Sequence, residues 1–218
     1  KSFIGSGVRY DLLLHQTPDA RTNKINREYI EELILKHVSG RLKVAPEHTN
    51  NRVLDIMRKP GFEQFYAFKK IFDDCNEKNG LHQQIIPYFI SSHPGCTEED
   101  MAELAAITKR LNFKLEQVQD FTPTPMTVST EMWYTGYHPY TLEKVYCARS
   151  MQEKLRQRLF FFWYKPEEKS TIIQELMRMG RRDLLNKLYD KSAAYESSRT
   201  ACNRKSERRN VRGQRRRN

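Results

Sequence analysis

The segment at residues 83–96, QQIIPYFISSHPGC, constrains the fold of this chain more than any other. Its apolar run at residues 85–90 stops at the polar sequence SSHPG, and a helical pattern begins at residue 97. A short, continuous apolar run is typical of a strand buried on both faces, as in parallel sheets covered by helices. Parallel α/β folds place their functional groups at the carboxyl ends of such strands. The segment therefore predicts a parallel α/β fold.

The same unit recurs along the first half of the chain. Strands are predicted within residues 1–14 and at residues 42–45, 85–90 and 115–121. Helices are predicted at 27–38, from residue 50 or 51 to the interruption at Pro60 and Gly61, from there to about residue 80, and at 97–111. Thr97 and Asp100 have the spacing of a capping box. Alternating strands and crossover-length helices predict right-handed βαβ units and a parallel sheet. Four such strands are half of a (β/α)8 barrel or part of an open sheet.

The character of the sequence changes after residue 125. An aromatic loop at residues 130–140 precedes predicted helices at 142–162, 166–179 and 181–189. Apolar residues almost disappear after residue 192, which predicts disorder. We therefore expect three regions: the strands and helices of residues 1–125, a helical extension at 126–191 and a basic disordered tail at 192–218.

The positive charge is concentrated in the tail. The chain has a formal net charge of +11, and residues 196–218 hold nine Lys or Arg against two Asp or Glu. The body is therefore only mildly basic, which argues against nucleic-acid binding by the whole chain. Counterion release would let the tail contact phosphate backbones such as those of RNA. A solubilising role is the alternative.

Cysteine usage and hydropathy indicate the compartment. The cysteines, at positions 75, 96, 147 and 202, form no C-x-x-C pair, so neither a zinc site nor a disulfide framework is predicted. Reduced thiols are typical of cytosolic proteins. No apolar run approaches the roughly 20 residues of a membrane span, and no signal peptide is recognised. We expect a cytoplasmic protein without membrane contact. Because the chain starts at Lys1 inside a strand-like pattern, we interpret it as part of a longer protein.

Polar side chains follow each predicted strand, and in a parallel barrel these ends converge on one face. Together they would suit a charged ligand rich in hydroxyl groups, whereas each alone is equally explained by a capping role. They are Ser6, Arg9 and Asp11, then Glu47 and His48, then Ser91, Ser92 and His93, and finally Asp120 and Thr122.

Three individual side chains at these ends have two interpretations each. His48 and His93 lack a third metal ligand at suitable spacing, so an acid–base or capping role is expected and no metal site is predicted. Cys96 stands at a helix start, which favours a thiolate, or it is a buried reduced thiol. The aromatic loop is either core packing or a platform on which bases stack. No Walker loop and no G-x-G-x-x-G motif is present.

Several long strings, in this order and spacing, resemble the YgiQ family of radical SAM proteins. They are SGVRYD, LKVAPEH, VLDIMRKP, IPYFISSHPGC and LEQVQDFTPTP, and they cover residues 1–125 densely. The resemblance implies an α/β fold: the C-terminal half of a TIM-like (β/α) radical SAM barrel with a C-terminal helical extension. It also implies two cofactors, a 4Fe–4S cluster and S-adenosylmethionine, which together generate a 5′-deoxyadenosyl radical that acts on an unidentified substrate.

The sequence departs from the family pattern because it lacks the Cys-x3-Cys-x2-Cys loop that binds the cluster. The cluster ligands would lie upstream, in a missing N-terminal part of the same barrel, so the isolated fragment is expected to be inactive. By similarity, Ser6 and Arg9 lie on a strand that contacts the ribose and carboxylate of adenosylmethionine, and residues 45–47 and 90–93 flank its adenine and ribose. The implied cofactor-binding residues are Ser6, Arg9, Ala45, Glu47, Ile90, Ser91 and His93. The alternative function is a non-catalytic module that binds RNA or a ribonucleoprotein through the basic tail.

Overall fold

The structure is a computed structural model that describes residues 2–189. The predictions for the basic tail lie outside the described residues. In chain order the elements are α1 (Tyr10–Leu14), α2 (Ala20–Glu32) with a π-helical turn over Leu33–His37, β1 (Arg41–Glu47), α3 (Asn51–Ile56), α4 (Phe62–Lys78), β2 (Gln84–Ser91), α5 (Glu98–Arg110), β3 (Gln117–Asp120), α6 (Val128–Thr135), α7 (Met151–Leu159) with a 3-10 turn over Phe160–Phe162, α8 (Pro166–Arg178) and α9 (Arg182–Leu188).

The three strands form one parallel sheet in the order β1-β2-β3, which confirms the predicted parallel α/β arrangement. The predicted half of a TIM-like barrel is wrong. Residues 2–9 contribute only a single bridge, from Val8 to Val44, and the chain then turns into α1. Gly5 and Gly7 weaken strand formation there, since glycine has no side chain to pack on a sheet. The result is a small mixed α/β fold.

Helix boundaries follow the capping residues. The capping box of Thr97 and Asp100 is confirmed at the start of α5. α2 begins earlier than predicted because Asp19 accepts hydrogen bonds from the backbone of its first turn. The helix predicted from residue 142 begins only at Met151, where Ser150 and Glu153 form a second capping box. A helix, α6, replaces part of the predicted aromatic loop.

One hydrophobic core joins the sheet to the helical extension. Phe65, Phe68 and Phe72 of α4 are buried in this core, and Tyr10 of α1 stacks on Phe68 with 5.5 Å between ring centroids. The extension enters the same core through Phe160 and other buried residues of its helices. Burial of such aromatic side chains is a large part of the driving force for folding. Within residues 2–189, every helix is too short or too polar to span a bilayer.

The two faces of the sheet differ in their burial. Leu42, Val44 and Phe89 point into the core and are at most 1% exposed. On the opposite face Ala45 and Ile90 are only half-buried, so β2 is not buried on both faces as its apolar run predicted. We call this second side the open face of the sheet. The carboxyl ends of the strands lie at its margin.

Candidate functional site at the carboxyl edge of the sheet

The three strands end side by side. Glu47, the last residue of β1, is in register with Phe89, and Ser91, the last of β2, is in register with Asp120. The strand ends and the loops that follow, residues 47–50 and 92–97, are called the carboxyl edge below. The structure thus brings together the polar ends of three of the four predicted strands.

The end of β1 is distorted at Glu47. The register of the β1–β2 pair slips between Val44 and Glu47, where Pro46 has no N–H to donate to the ladder. The His48 N–H then donates to the Pro46 carbonyl over 2.8 Å, which closes a γ-turn centred on Glu47. Glu47 has φ 66°, a left-handed conformation that costs a non-glycine residue energy. Strain of this kind clusters at functional sites.

The Glu47 carboxyl group is only partly satisfied. Its Oε1 lies 3.3 Å from the Lys59 Nζ, whereas its Oε2 is buried without a hydrogen-bond partner. Burial raises the pKa of Glu47 above its usual value, and the nearby Lys59 opposes that shift without cancelling it. An acceptor held in this state is suited to a ligand that donates a hydrogen bond.

Ser92 repeats this pattern at the end of β2. Its φ of 61° is also left-handed, and its Oγ is buried without a partner. The Thr49 Oγ1 in the neighbouring loop is in the same condition. Native proteins satisfy most buried polar atoms, so three unpaired oxygens at one sheet edge need an explanation. A hydroxyl-bearing or amine-bearing ligand at the carboxyl edge would supply one.

Replacing Glu47 by Gln is expected to raise the free energy of unfolding at pH about 7 by about 0.5–2 kcal/mol. The amide keeps the shape of the side chain and removes a charge that is unfavourable in the folded state, as in other stabilised functional sites. Because the folded pKa is raised above the unfolded value of 4.5, the wild-type chain loses stability as the pH rises through that folded pKa. The advantage of Glu47→Gln should therefore shrink as the pH falls from about 7 to about 5. Urea unfolding at both pH values measures it.

Glu116→Gln is the matched control for this change, because that carboxylate is 59% exposed and pairs with Arg41 at the surface. Ion pairs between exposed side chains contribute little to the free energy of unfolding, so the control should change it by less than about 0.5 kcal/mol. A loss of stability in Glu47→Gln at neutral pH would show that the Lys59 ion pair outweighs the cost of burying the charge.

A tight turn shapes the loop after β2. The Cys96 N–H donates to the His93 carbonyl over 2.9 Å, with Pro94 and Gly95 between them and Gly95 at φ 84°. Proline followed by a residue of positive φ is the signature of a type II turn. A Cβ on Gly95 would lie 2.3 Å from the Ile56 Cδ1, so the loop fits closely against α3 only as glycine.

A charged network joins the two loops of the carboxyl edge. Arg52 of α3 donates to the Gly95 carbonyl over 2.8 Å and pairs with Asp100 of α5 at 2.5 Å. Asn50 donates to the other oxygen of Asp100 over 2.7 Å. Asp100 is 6% exposed, and charge-assisted hydrogen bonds to such a buried carboxylate are strong. The network therefore ties the loop that follows β1 to the loop that follows β2.

The extension also holds the β2 loop, through Gln157 of α7. Its side-chain Oε1 accepts from the Ser92 N–H over 2.7 Å, and its Nε2 donates to the Cys96 carbonyl over 2.8 Å. Gln157 is 0% exposed. One amide therefore satisfies two buried backbone groups of a strained loop.

His48 and Cys96 form a buried neutral pair. The His48 Nδ1 accepts from the Asn50 N–H over 3.0 Å, which assigns the proton to Nε2, and that nitrogen lies 3.5 Å from the Cys96 Sγ. Burial lowers the pKa of His48 to about 4 and raises the pKa of the Cys96 thiol. Cys96 is thus the buried thiol of the two alternatives, and His48 stabilises its loop.

His93 is also held neutral. Burial lowers its pKa to about 4; its Nδ1 lies 2.9 Å from the Pro94 carbonyl and its Nε2 2.9 Å from the Ser129 Oγ. The edge of Phe121 packs against the ring. An imidazole with both nitrogens engaged and a pKa near 4 is poorly suited to acid catalysis at neutral pH. Its contacts instead fix the loop against the extension.

The other predicted residues divide into two groups. Ser91 donates to Asp120, whose second oxygen lies 3.2 Å from the Arg158 Nη1, so both side chains are satisfied within the protein. The Arg9 side chain is 61% exposed and forms a bidentate ion pair with Asp11. Ser6 is exposed before the Val8 bridge, and Ala45 and Ile90 lie half-buried on the open face.

Thr49 and Gln157 contribute to the edge without having been predicted. Thr49 directly follows two candidates in the sequence, so the polar cluster at the strand end was a usable signal for it. Gln157 had none, because a glutamine among charged helix residues resembles a solvent-facing position. Only the packing of α7 against the sheet explains its burial.

The described residues form no cluster of metal ligands, and two cavities of the fold lie outside the carboxyl edge. Within residues 2–189 no three His, Cys, Asp or Glu side chains come together in a way that would hold a metal ion. Two cavities, of about 650 and 520 Å³, lie away from the carboxyl edge, between α5 and α9 and beside the amino-terminal end of β2.

Comparison with known proteins adds relatives over most of the chain. Residues 116–217 match a family model described as a domain of unknown function, DUF3362. A UPF0313 protein of Bacteroides thetaiotaomicron is 72% identical over 191 residues, covering 88% of this chain and 31% of the relative. A UPF0313 protein of Porphyromonas gingivalis is 65% identical and one of Methanosarcina mazei 45%, over 91% and 84% of this chain and 31% and 28% of the relatives.

These relatives agree with the resemblance seen in the sequence, since UPF0313 is the YgiQ family. The chain spans about a third of the length of the curated relatives it matches.

Proposed function

We propose that this chain is part of a radical enzyme in which a 4Fe–4S cluster and S-adenosylmethionine together supply a 5′-deoxyadenosyl radical for an unidentified substrate. The observation that carries the proposal is the set of buried, unpaired oxygens on Glu47, Ser92 and Thr49 at the carboxyl edge. The motif resemblance and the UPF0313 relatives support the same conclusion. Cofactor enzymes of this kind use the protein to bind and orient the cofactor.

The chemistry of the edge fits adenosylmethionine. Its ribose hydroxyls and its amino group are hydrogen-bond donors, and the Glu47 Oε2 is a buried acceptor with no partner. The hydroxyls of Ser92 and Thr49 can accept or donate, which suits ribose and adenine edges alike. In the proposal Glu47 accepts from the ribose, and the two hydroxyls fix its orientation. The strained backbone at Glu47 and Ser92 is then the cost of aiming these groups.

The other implied groups fit this part of the protein less well. The described residues offer no set of metal ligands, so the proposal assigns the cluster to another part of the longer protein. Arg9 would bind the cofactor carboxylate only by releasing Asp11, which now takes two of its N–H donors. Arg9 therefore has a secondary place in the proposal, behind Glu47 and Ser92.

The test uses the full-length parent protein, purified anaerobically with its cluster assembled. Addition of dithionite and adenosylmethionine should release 5′-deoxyadenosine. Glu47→Gln removes the charged acceptor and should reduce adenosylmethionine affinity by about tenfold, as for a lost charge-assisted hydrogen bond. Ser92→Gly removes the hydroxyl while keeping the left-handed backbone, and a loss of a few-fold is expected.

Glu116→Gln is again the control, and it should leave both affinity and product unchanged. Absence of 5′-deoxyadenosine from protein with a complete cluster would refute the proposed chemistry. Wild-type release with unaltered affinity in Glu47→Gln and Ser92→Gly would leave the chemistry in place and remove the carboxyl edge as its cofactor site.

A further inference from the structure

Three tyrosine side chains within seven residues of the chain, on α6 and the hairpin that follows it, stand out from the surface. Tyr134, Tyr137 and Tyr140 are 78%, 51% and 67% exposed, so this loop is not the core packing that its composition favoured. We call these three rings the tyrosine platform. Aromatic rings exposed in a group are unusual on a protein surface and mark interaction sites.

The platform is held by a regular backbone. α6 ends at Gly136, which has φ 79° and donates to the Met132 carbonyl over 2.8 Å. Tyr137 then pairs with Lys144 in an antiparallel bridge that closes a short hairpin. The Val145 N–H returns to the Gly136 carbonyl over 2.8 Å. A stiff loop presents its rings to a partner at a small entropic cost.

Cations border the rings. The guanidinium carbon of Arg58 lies 4.9 Å from the centre of the Tyr140 ring, and Arg149 donates to the Tyr134 carbonyl over 2.9 Å. Lys144 is exposed on the same hairpin. Among the described residues, none of these three cations is paired with a carboxylate. The acids nearest to them along the chain are Asp55, Glu143 and Glu153. Glu143 accepts from Thr141, and Glu153 accepts from the Arg149 backbone N–H over 3.3 Å rather than from its guanidinium.

We propose that the tyrosine platform binds single-stranded nucleic acid, with bases stacked on the rings and phosphates at the three cations. Stacking on aromatic side chains beside a cationic track is how proteins bind single strands without reading their sequence. The unpaired cations favour a polyanion over an apolar protein surface. The segment at residues 196–218 of the same chain is also positively charged, like the three cations beside the rings. The proposal is independent of the radical chemistry.

The test uses the full-length parent protein and fluorescent oligonucleotides of about 20 nucleotides, one of uridine RNA and one of thymidine DNA. Replacing all three tyrosines by Ala should weaken binding by roughly tenfold for each stacked base that is lost. Replacing them by Phe keeps the rings and should preserve most of the affinity. Tyr29→Ala is the control, because that ring is 53% exposed on α2, away from the hairpin.

A salt series separates the platform from the basic tail. For single strands, each neutralised phosphate contributes about 0.7 to the slope of log affinity against log salt. Arg58→Gln and Lys144→Gln should each reduce that slope by about this amount, whatever the tail contributes. Binding of the RNA alone, or of both oligonucleotides, supports the proposal. The comparison also shows whether the platform distinguishes RNA from DNA.

Three outcomes would overturn it. In the first, the wild-type protein would bind neither oligonucleotide at low salt. In the second, the folded triple Ala variant would bind as tightly as the wild-type protein, which would assign binding to the tail. In the third, the three rings are protected from chemical modification in the free full-length protein, which would mean that another part of the polypeptide or a second copy covers them.

Discussion

Lowering the pH from about 7 to about 5 is expected to reduce the free energy of unfolding of this chain by about 3 kcal/mol. His48 and His93 are buried and neutral, and both have a pKa of about 4 in the folded state against 6.5 in the unfolded chain. Between these values the unfolded chain binds more protons than the folded one, so stability falls with falling pH. Each pKa unit corresponds to about 1.36 kcal/mol, and two histidines contribute.

Other titrating groups do not hide this effect. Carboxyl groups whose pKa is lowered, such as Asp183 at about 2, reduce stability only at lower pH. The raised pKa of Glu47 works in the opposite direction and offsets a part of the loss. The window between about pH 6.5 and about pH 5 therefore reports mainly on the two histidines.

Urea unfolding across this window measures the loss, and two variants assign it. His48→Asn keeps an acceptor near the position of Nδ1, and His93→Gln keeps one near Nε2, so each removes one titration with limited repacking. Each variant should lose roughly half of the pH dependence, and His82→Gln, at an exposed position, should lose none. A stability that is equal at both pH values would show that the imidazoles are accessible to protons in the folded state.

Local sequence signals correctly predicted the central strand of the sheet and the start of the helix that follows it. The apolar run of β2, its polar end and the capping box at Thr97 all appear where the pattern predicted them, since each depends on neighbours within one turn or one strand. Glu47 and Ser92 were both found as strand-end polar groups for the same reason. Their left-handed backbone and unpaired oxygens were not predicted, because these depend on which atoms the neighbouring loops leave unsatisfied.

The errors arose where distant parts of the chain decide the structure. Residues 1–14 have strand-like composition, yet only Val8 pairs, so the predicted fourth strand and the half barrel built on it were wrong. Ser91 and Asp120 looked like free ligand groups but satisfy each other across the strands. Gln157 was not among the predicted residues. In each case the deciding contact joins residues far apart in sequence, which no local pattern encodes.

That last residue gives the largest effect expected for a single substitution. Gln157→Leu should lower the free energy of unfolding by about 3 kcal/mol, because it leaves the Ser92 N–H and the Cys96 carbonyl buried without partners. For a chain of this size the melting temperature should fall by roughly 6–12 °C. Because leucine and glutamine have similar volumes, the loss of stability comes from the lost hydrogen bonds rather than from a cavity. Gln174→Leu is the matched control, because Gln174 is exposed on the next helix, α8.

The same variant tests whether the extension supports the carboxyl edge. Without Gln157 the loop at residues 92–96 keeps its turn at Pro94 but loses its two bonds to α7, so the Ser92 amide should exchange its hydrogen much faster. Exchange in the β1 strand, at Leu42 for example, should follow only the global loss of stability. If the Ser92 amide stays as protected as in the wild-type chain, another group holds the strained loop. Rapid exchange confined to that loop would instead show that α7 fixes the position of Ser92, and with it the geometry of the candidate site.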